Sequence, residues 1–189
     1  MKIFKTASFL LLLSLFSYNL TFSQQKVDTV FVGKATSKTI KQSIDKKALV
    51  YIIVRHGEKE NNGKNPHLSE PGKERAKHLA QLFKKVKIQN AFSTDFFRTK
   101  ETLEPLAVDK KLDFKIYNPS KISDFVKNDL IFNQSKNIIS GHSNTNPVLL
   151  NEICKKSIYK DIPDTQFNDI FIVNVFKNRE KIIIYHLLY

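Results

Sequence analysis

The sequence predicts an α/β fold with a mostly parallel central sheet and an antiparallel C-terminal hairpin at the sheet edge. Three observations predict it. Leu49 to Val54 is a short apolar, β-branched-rich run bounded by a polar turn, the pattern of a strand buried on both faces. Asn137 to Ser140 repeats that pattern, and each run ends in a histidine-bearing turn, Arg55-His56-Gly57 in the first and Gly141-His142-Ser143 in the second. Ile170 to Phe176 and Ile182 to Leu188 are two further strands, close enough in sequence to pair as a hairpin across a polar turn.

From the start of the chain, Lys2 and Lys5 precede an apolar run from Ala7 to about Leu20, followed by Thr21-Phe22-Ser23. A short basic region, an apolar stretch and small residues make residues 1–23 a secretory signal peptide, which directs the protein to the periplasm or the medium. The apolar run is shorter than the roughly 20 residues that span a bilayer comfortably, so a cleaved signal fits better than an anchor. Its removal leaves about 166 residues, enough for one domain with a good core, and lowers the formal net charge from +13 to +11. Residues 24–47 read as a polar basic linker, with an alternating patch at Val27 to Val32 that could add an edge strand, and residues 48–189 as the folded domain.

So basic a balance suits anionic partners. Phosphorylated small molecules and a peripheral contact with an anionic envelope surface both fit; nucleic acid does not, because the chain is exported and shows no aromatic platform within a basic groove. Cys154 is the one cysteine, so it forms no internal disulfide, and its setting in Leu149-Leu150-Asn151-Glu152-Ile153 makes it a buried apolar residue. The sequence specifies no oligomeric state.

After the first strand comes a loop to His67 and then a helix from about Ser69 to Lys87. Ser69 is its cap, Pro71 sits in its first turn where a missing N–H does no harm, and Ala76, Leu79, Ala80, Phe83 and Val86 recur at helical spacing. Ile88 to Ser93 is the next strand. A helix capped by Thr94 or Asp95 follows, with Arg98 in its first turn and Pro105 as its kink or end. Phe114 to Tyr117 is a short strand, after which Ile122, Phe125, Val126 and Leu130 mark another amphipathic helix. A helix near Pro147, capped by Ser143 or Asn144, closes the second histidine turn and brings N–H donors that attract anions.

In open α/β sheets ligands bind at the carboxyl ends of the strands, so Arg55, His56, Gly57 and His142 arrive together at one edge. Arginine suits bidentate anion recognition, and a neutral imidazole can serve as nucleophile or base. Arg55-His56-Gly57, then Leu68-Ser69-Glu70-Pro71-Gly72-Lys73-Glu74-Arg75-Ala76, then Phe92 to Thr102 with Arg98, then Ser140-Gly141-His142-Ser143, in that order, resemble the histidine phosphatase superfamily, phosphoglycerate mutase-like branch. The resemblance spans nearly everything from Val50 to Cys154. It implies a three-layer α/β/α sandwich, no metal or other cofactor, and a phosphohistidine intermediate on His56. It also implies that Arg55, Arg98 and His142 hold the transferring phosphoryl group.

Chemistry agrees with that assignment. Phosphoryl transfer needs an in-line nucleophile and a positive cradle for the equatorial oxygens, which two arginines and a second imidazole supply. Gly57 lets the backbone pass close to the phosphate. The general acid for the leaving oxygen is expected among Glu58, Asp95, Glu101 and Asp124; Asp124 follows the third strand, where the mutase branch carries its acid. Asn62 corresponds loosely to a loop Asn of the family that contacts phosphate. The expected activity is an exported phosphomonoesterase. A phosphoglycerate mutase-type phosphotransferase and a non-catalytic binder of a phosphate-bearing ligand are the alternatives.

Overall fold

The structure, a computed structural model, describes residues 25–130, 135–176 and 179–189, so the expected signal peptide lies outside the described residues. Seven strands form one sheet: β1 (Lys26–Lys34), β2 (Leu49–Arg55), β3 (Asn90–Ser93), β4 (Phe114–Ile116), β5 (Lys136–Gly141), β6 (Asp169–Val175) and β7 (Lys181–Leu188). Their spatial order is β1-β7-β6-β2-β5-β3-β4. The helices are α1 (Ser37–Ser43), α2 (Glu70–Leu82), α3 (Phe97–Lys110), α4 (Ile122–Phe125), which runs on as a π-helical stretch Val126–Leu130, and α5 (Thr145–Cys154).

β2 is the centre because it has no charged side chain before Arg55, its one polar group, the Tyr51 hydroxyl, donates to the Leu130 carbonyl, and it is covered on both faces. Val50, Ile52 and Val54 pack with Ile40 of α1, Leu79 of α2 and Leu103 and Leu106 of α3. Tyr51 and Ile53, one residue out of phase, pack with Ile122 and Phe125 of α4 and Leu149, Leu150 and Ile153 of α5. The period of two along a strand therefore feeds two separate cores, and the result is three layers. Cys154 is buried in the second core, and burial pushes its thiol up to about 11.

β2 pairs in parallel with β5, with Arg55 opposite Gly141, which brings the two histidine turns side by side. β6 is antiparallel to β2 and to β7. The hairpin is thus present, and β1 adds in parallel to β7 outside it. Residues 24–47 are accordingly not a linker. β1 has a partner strand along its length, and α1, closed by a reciprocal Thr36–Thr39 capping box, buries Ile40 in the first core, so the domain begins by Lys26. The alternating patch at Val27 to Val32 is the edge strand β1, whereas a lysine-rich composition hid α1, which buries only Ile40 and Ser43.

Helix boundaries also differ from expectation: α2 ends at Leu82 rather than near Lys87. α3 starts at Phe97 with Phe96 as a cap that offers no side-chain hydrogen bond, because Thr94 turns inward instead. It runs through Pro105 to Lys110, the neighbouring turns holding the helix where one backbone donor is missing.

The start of α2 is pressed against the end of the His56 turn. Ser69 N–H and Oγ–H both donate to the Glu58 carbonyl, at 2.9 and 3.1 Å. A Cβ on Gly72 would stand 2.1 Å from that same carbonyl oxygen, and one on Gly57 3.0 Å from the Gly72 carbonyl. Backbone cannot yield as a flexible side chain does. Gly72→Ala is therefore expected to cost about 3 kcal/mol of stability, the upper part of the overpacking range, read as a lower urea midpoint with an unchanged m-value.

Candidate active site

His56 and His142 stand at the ends of neighbouring strands, with ring centroids 5.4 Å apart. The ladder continues past β2 by one bond, His56 N–H to the Gly141 carbonyl at 3.0 Å, which fixes the backbone beneath both rings. Gly57 N–H donates to Thr102 Oγ1 at 2.9 Å, tying the turn to α3. His56 is 4% exposed and His142 9%.

The ring nitrogens have distinct duties. His56 Nδ1 lies 2.8 Å from the Gly57 carbonyl, an acceptor only, so Nδ1 carries the proton and Nε2 keeps its lone pair. This is the tautomer of a nucleophile. His142 Nε2 meets Thr94 Oγ1 at 3.0 Å, and Thr94 Oγ1 meets Thr99 Oγ1 at 2.9 Å. His142 is thereby held by its far nitrogen, while Phe96 packs edge-on against its ring.

Burial, the largest cause, brings His56 down to about 3 and His142 to about 4, with the positive charges of Arg98 and Arg55 pushing the same way. Both imidazoles are neutral in the folded chain at pH 7. Unfolded, each takes up a proton near its ordinary pKa, so between about pH 6.5 and about pH 4 the unfolded chain binds more protons. Stability therefore rises with pH across that window and is lost on acidification. Urea unfolding at about pH 7 and pH 5 should show a steep loss in the wild type and a smaller one in His142→Gln.

Arg55 is 5% exposed. Its Nη1 donates to the Pro163 and Gln166 carbonyls at 2.8 and 2.9 Å, its guanidinium lies 4.2 Å over Phe167, and Asp164 Oδ1 is 3.4 Å from Nη2. Arg98, in the first turn of α3, has its guanidinium 4.3 Å from the Phe96 ring centroid, and its charge acts on both histidines. Burial lowers both guanidinium pKa values from their ordinary value. The Nε–H of each arginine is buried and has no partner among the described residues. Two unmet charged donors beside two neutral imidazoles are a site waiting for an oxyanion.

The other expected residues fare differently. Glu58 is held by Arg75, Nε to Oε2 at 2.9 Å and Nη2 to Oε1 at 2.6 Å, and those bonds keep its carboxyl below the usual range. A carboxylate so held is a poor proton donor. Asp124 is exposed on α4, with no bond or ion pair to Arg55, His56, Arg98 or His142 among the described residues. Asn62 is exposed and its amide donates to Glu60 Oε2 at 2.9 Å, so it does not join the cradle. Glu101 binds His67 and the Leu68 N–H, and Asp95 binds Lys100. Sequence reasoning missed Asp164, Gln166 and Phe167. The signal was available: a strand antiparallel to β2 must begin at the carboxyl edge, so residues just before β6 arrive at the site.

The sequence profile of the histidine phosphatase superfamily, branch 1, matches residues 51–118, which hold Arg55, His56, Gly57 and Arg98. Over that stretch the chain is similar to the histidine phosphatase superfamily. No curated protein matches the sequence significantly. Among solved structures, the protein histidine phosphatase SixA with tungstate aligns at 16% identity and a TM-score of 0.60, over 74% of this chain and 96% of that one. A mycobacterial glucosyl-3-phosphoglycerate phosphatase with VO3 aligns at 12% and 0.56, over 74% and 97%. A putative α-ribazole-5′-phosphate phosphatase from Escherichia coli K-12 aligns at 13% and 0.55, over 75% and 97%. These likenesses show a shared α/β fold over about three quarters of the chain.

Proposed function

We propose that this chain is a histidine phosphatase superfamily member, an exported, metal-independent phosphomonoesterase working through a phosphohistidine on His56. The observation that carries the reading is the pair of buried, unpartnered guanidinium Nε–H groups of Arg55 and Arg98 beside two neutral imidazoles. Arg55 and Arg98 take equatorial oxygens of the phosphate, His56 Nε2 attacks phosphorus, and His142 donates to the developing charge through the nitrogen not bonded to Thr94. Water then hydrolyses the phosphohistidine. The solved structures of similar fold that hold tungstate and VO3, both oxyanions, support an oxyanion ligand for this chain.

Export rests on the signal-like start of the sequence, and the fold accommodates it. β1 runs parallel to β7, and β7 runs parallel to β2, so β1 begins at the sheet edge opposite the histidines. Exposed Lys26 and Lys181 pair at that edge and exposed Lys47 precedes β2 at the same edge, and those lysines fit a peripheral contact with an anionic envelope.

The test is phosphate release from p-nitrophenyl phosphate by the purified chain with chelator present, followed by acid-labile phosphate trapped on histidine after rapid quenching. Turnover with a trapped phosphohistidine is the expected result. Absence of both from folded protein that still binds inorganic phosphate would overturn the enzyme reading and leave a phosphate-binding protein.

A further inference from the structure

The phosphatase reading leaves one role open, the acid that protonates the leaving oxygen. Glu58 is committed to Arg75, and Asp124 touches no part of the cradle. Asp164, in the loop before β6, is placed differently. Its Oδ1 lies 3.4 Å from Arg55 Nη2 and 3.3 Å from Ser143 Oγ, so it bridges the two histidine turns. Arg55 Nη1 is saturated by two loop carbonyls, which leaves the Nε–Nη2 edge of the guanidinium for bidentate contact with an anion. Asp164 stands at the Nη2 end of that edge.

We propose that Asp164 is the general acid of this site, an assignment that rests on the phosphatase reading above. His56 is on the buried floor at 4% exposure, and the Asp164 side chain is at the mouth at 93%. In-line attack from the floor sends the leaving oxygen out towards the mouth, where Asp164 waits. An arriving phosphate takes Nη2 and displaces the carboxylate, which leaves Asp164 beside the bound anion and within reach of its leaving oxygen. His56 Nε2 then forms its bond to phosphorus as the P–O bond breaks; the electron pair leaves with oxygen, and oxygen takes the proton from Asp164. In the second half, Asp164 takes a proton from the water that attacks phosphorus, and the P–N electron pair returns to Nε2.

An acid matters in proportion to how badly the leaving group needs protonation, and that sets the experiment. Wild type, Asp164→Asn and Asp164→Glu are compared on p-nitrophenyl phosphate, whose leaving group departs unassisted, and on glycerol 2-phosphate, whose alkoxide does not. Asp164→Asn should lose about 100-fold or more in kcat on the alkyl ester and less than about 10-fold on the aryl ester, within the range for a lost general acid. Asp164→Glu should restore much of the alkyl rate. Thermal melting should be unchanged, since the side chain is on the surface. Equal losses on both esters, or no loss on either, would overturn the assignment and leave the phosphatase standing. Wild type inactive on both esters would remove the phosphatase reading and this assignment with it.

Discussion

His56→Ala is expected to reduce kcat by at least about 10⁴-fold on every phosphate ester the protein turns over, with no trapped phosphohistidine. The size follows from what is lost, since removal of a covalent nucleophile elsewhere costs about 10⁴ to 10⁶. No second group can take over. His142 has its Nε2 engaged with Thr94 and serves the cradle rather than the in-line position. His56, by contrast, has its Nδ1 proton fixed on the Gly57 carbonyl and presents an unprotonated Nε2 even well below neutral pH. The acid limb of kcat/KM should accordingly fall below about pH 5 rather than near the ordinary histidine value. His142→Ala should be milder, about 10²- to 10³-fold, because it removes one donor to the transition state and leaves the nucleophile intact. Rapid-quench kinetics on the three proteins distinguishes the roles: His142→Ala still forms the intermediate slowly, whereas His56→Ala forms none.

The floor of this site was legible in the sequence and the mouth was not, for a physical reason. Arg55 and His56 follow directly from β2, because so apolar a run has only one place to go in an α/β domain, and His142 follows from β5, whose Ile138-Ile139 core ends in a similar turn. Their proximity then depends on two neighbouring parallel strands, a local and common arrangement. Asp164 and Phe167 reach Arg55 across more than a hundred positions of sequence and only because β6 runs against β2. Glu58 shows the opposite failure. It sits two residues from the nucleophile, yet Arg75, one turn into α2, holds it in a salt bridge. Proximity in sequence placed it near the site, and a partner seventeen residues on decided its charge state. The alternation of Val27 to Val32 marked β1, but composition obscured α1, since a short helix needs only Ile40 and a few neighbours to stay attached.

Arg98→Met should lower kcat/KM by about 10³-fold or more while leaving the protein as stable as the wild type or more so. The two halves of that expectation share one cause. Arg98 is partly desolvated, has its Nε–H buried without a partner, and forms no ion pair with a carboxylate among the described residues. In the empty site its charge is a cost, offset in part by the Phe96 ring against its face. An apolar side chain of similar length keeps the packing and removes that cost, as replacement of buried charges often does. The transferring phosphoryl group supplies what the empty site lacks, and an arginine meeting that charge is worth about 10³ to 10⁵ in rate. Arg98→Lys should recover little, because a point charge cannot reproduce a planar fork stacked on an aromatic ring. Paired measurement of turnover and urea midpoint decides the matter. Activity and stability falling together would make Arg98 a structural residue, and activity falling alone would show that the strain it carries is released by substrate.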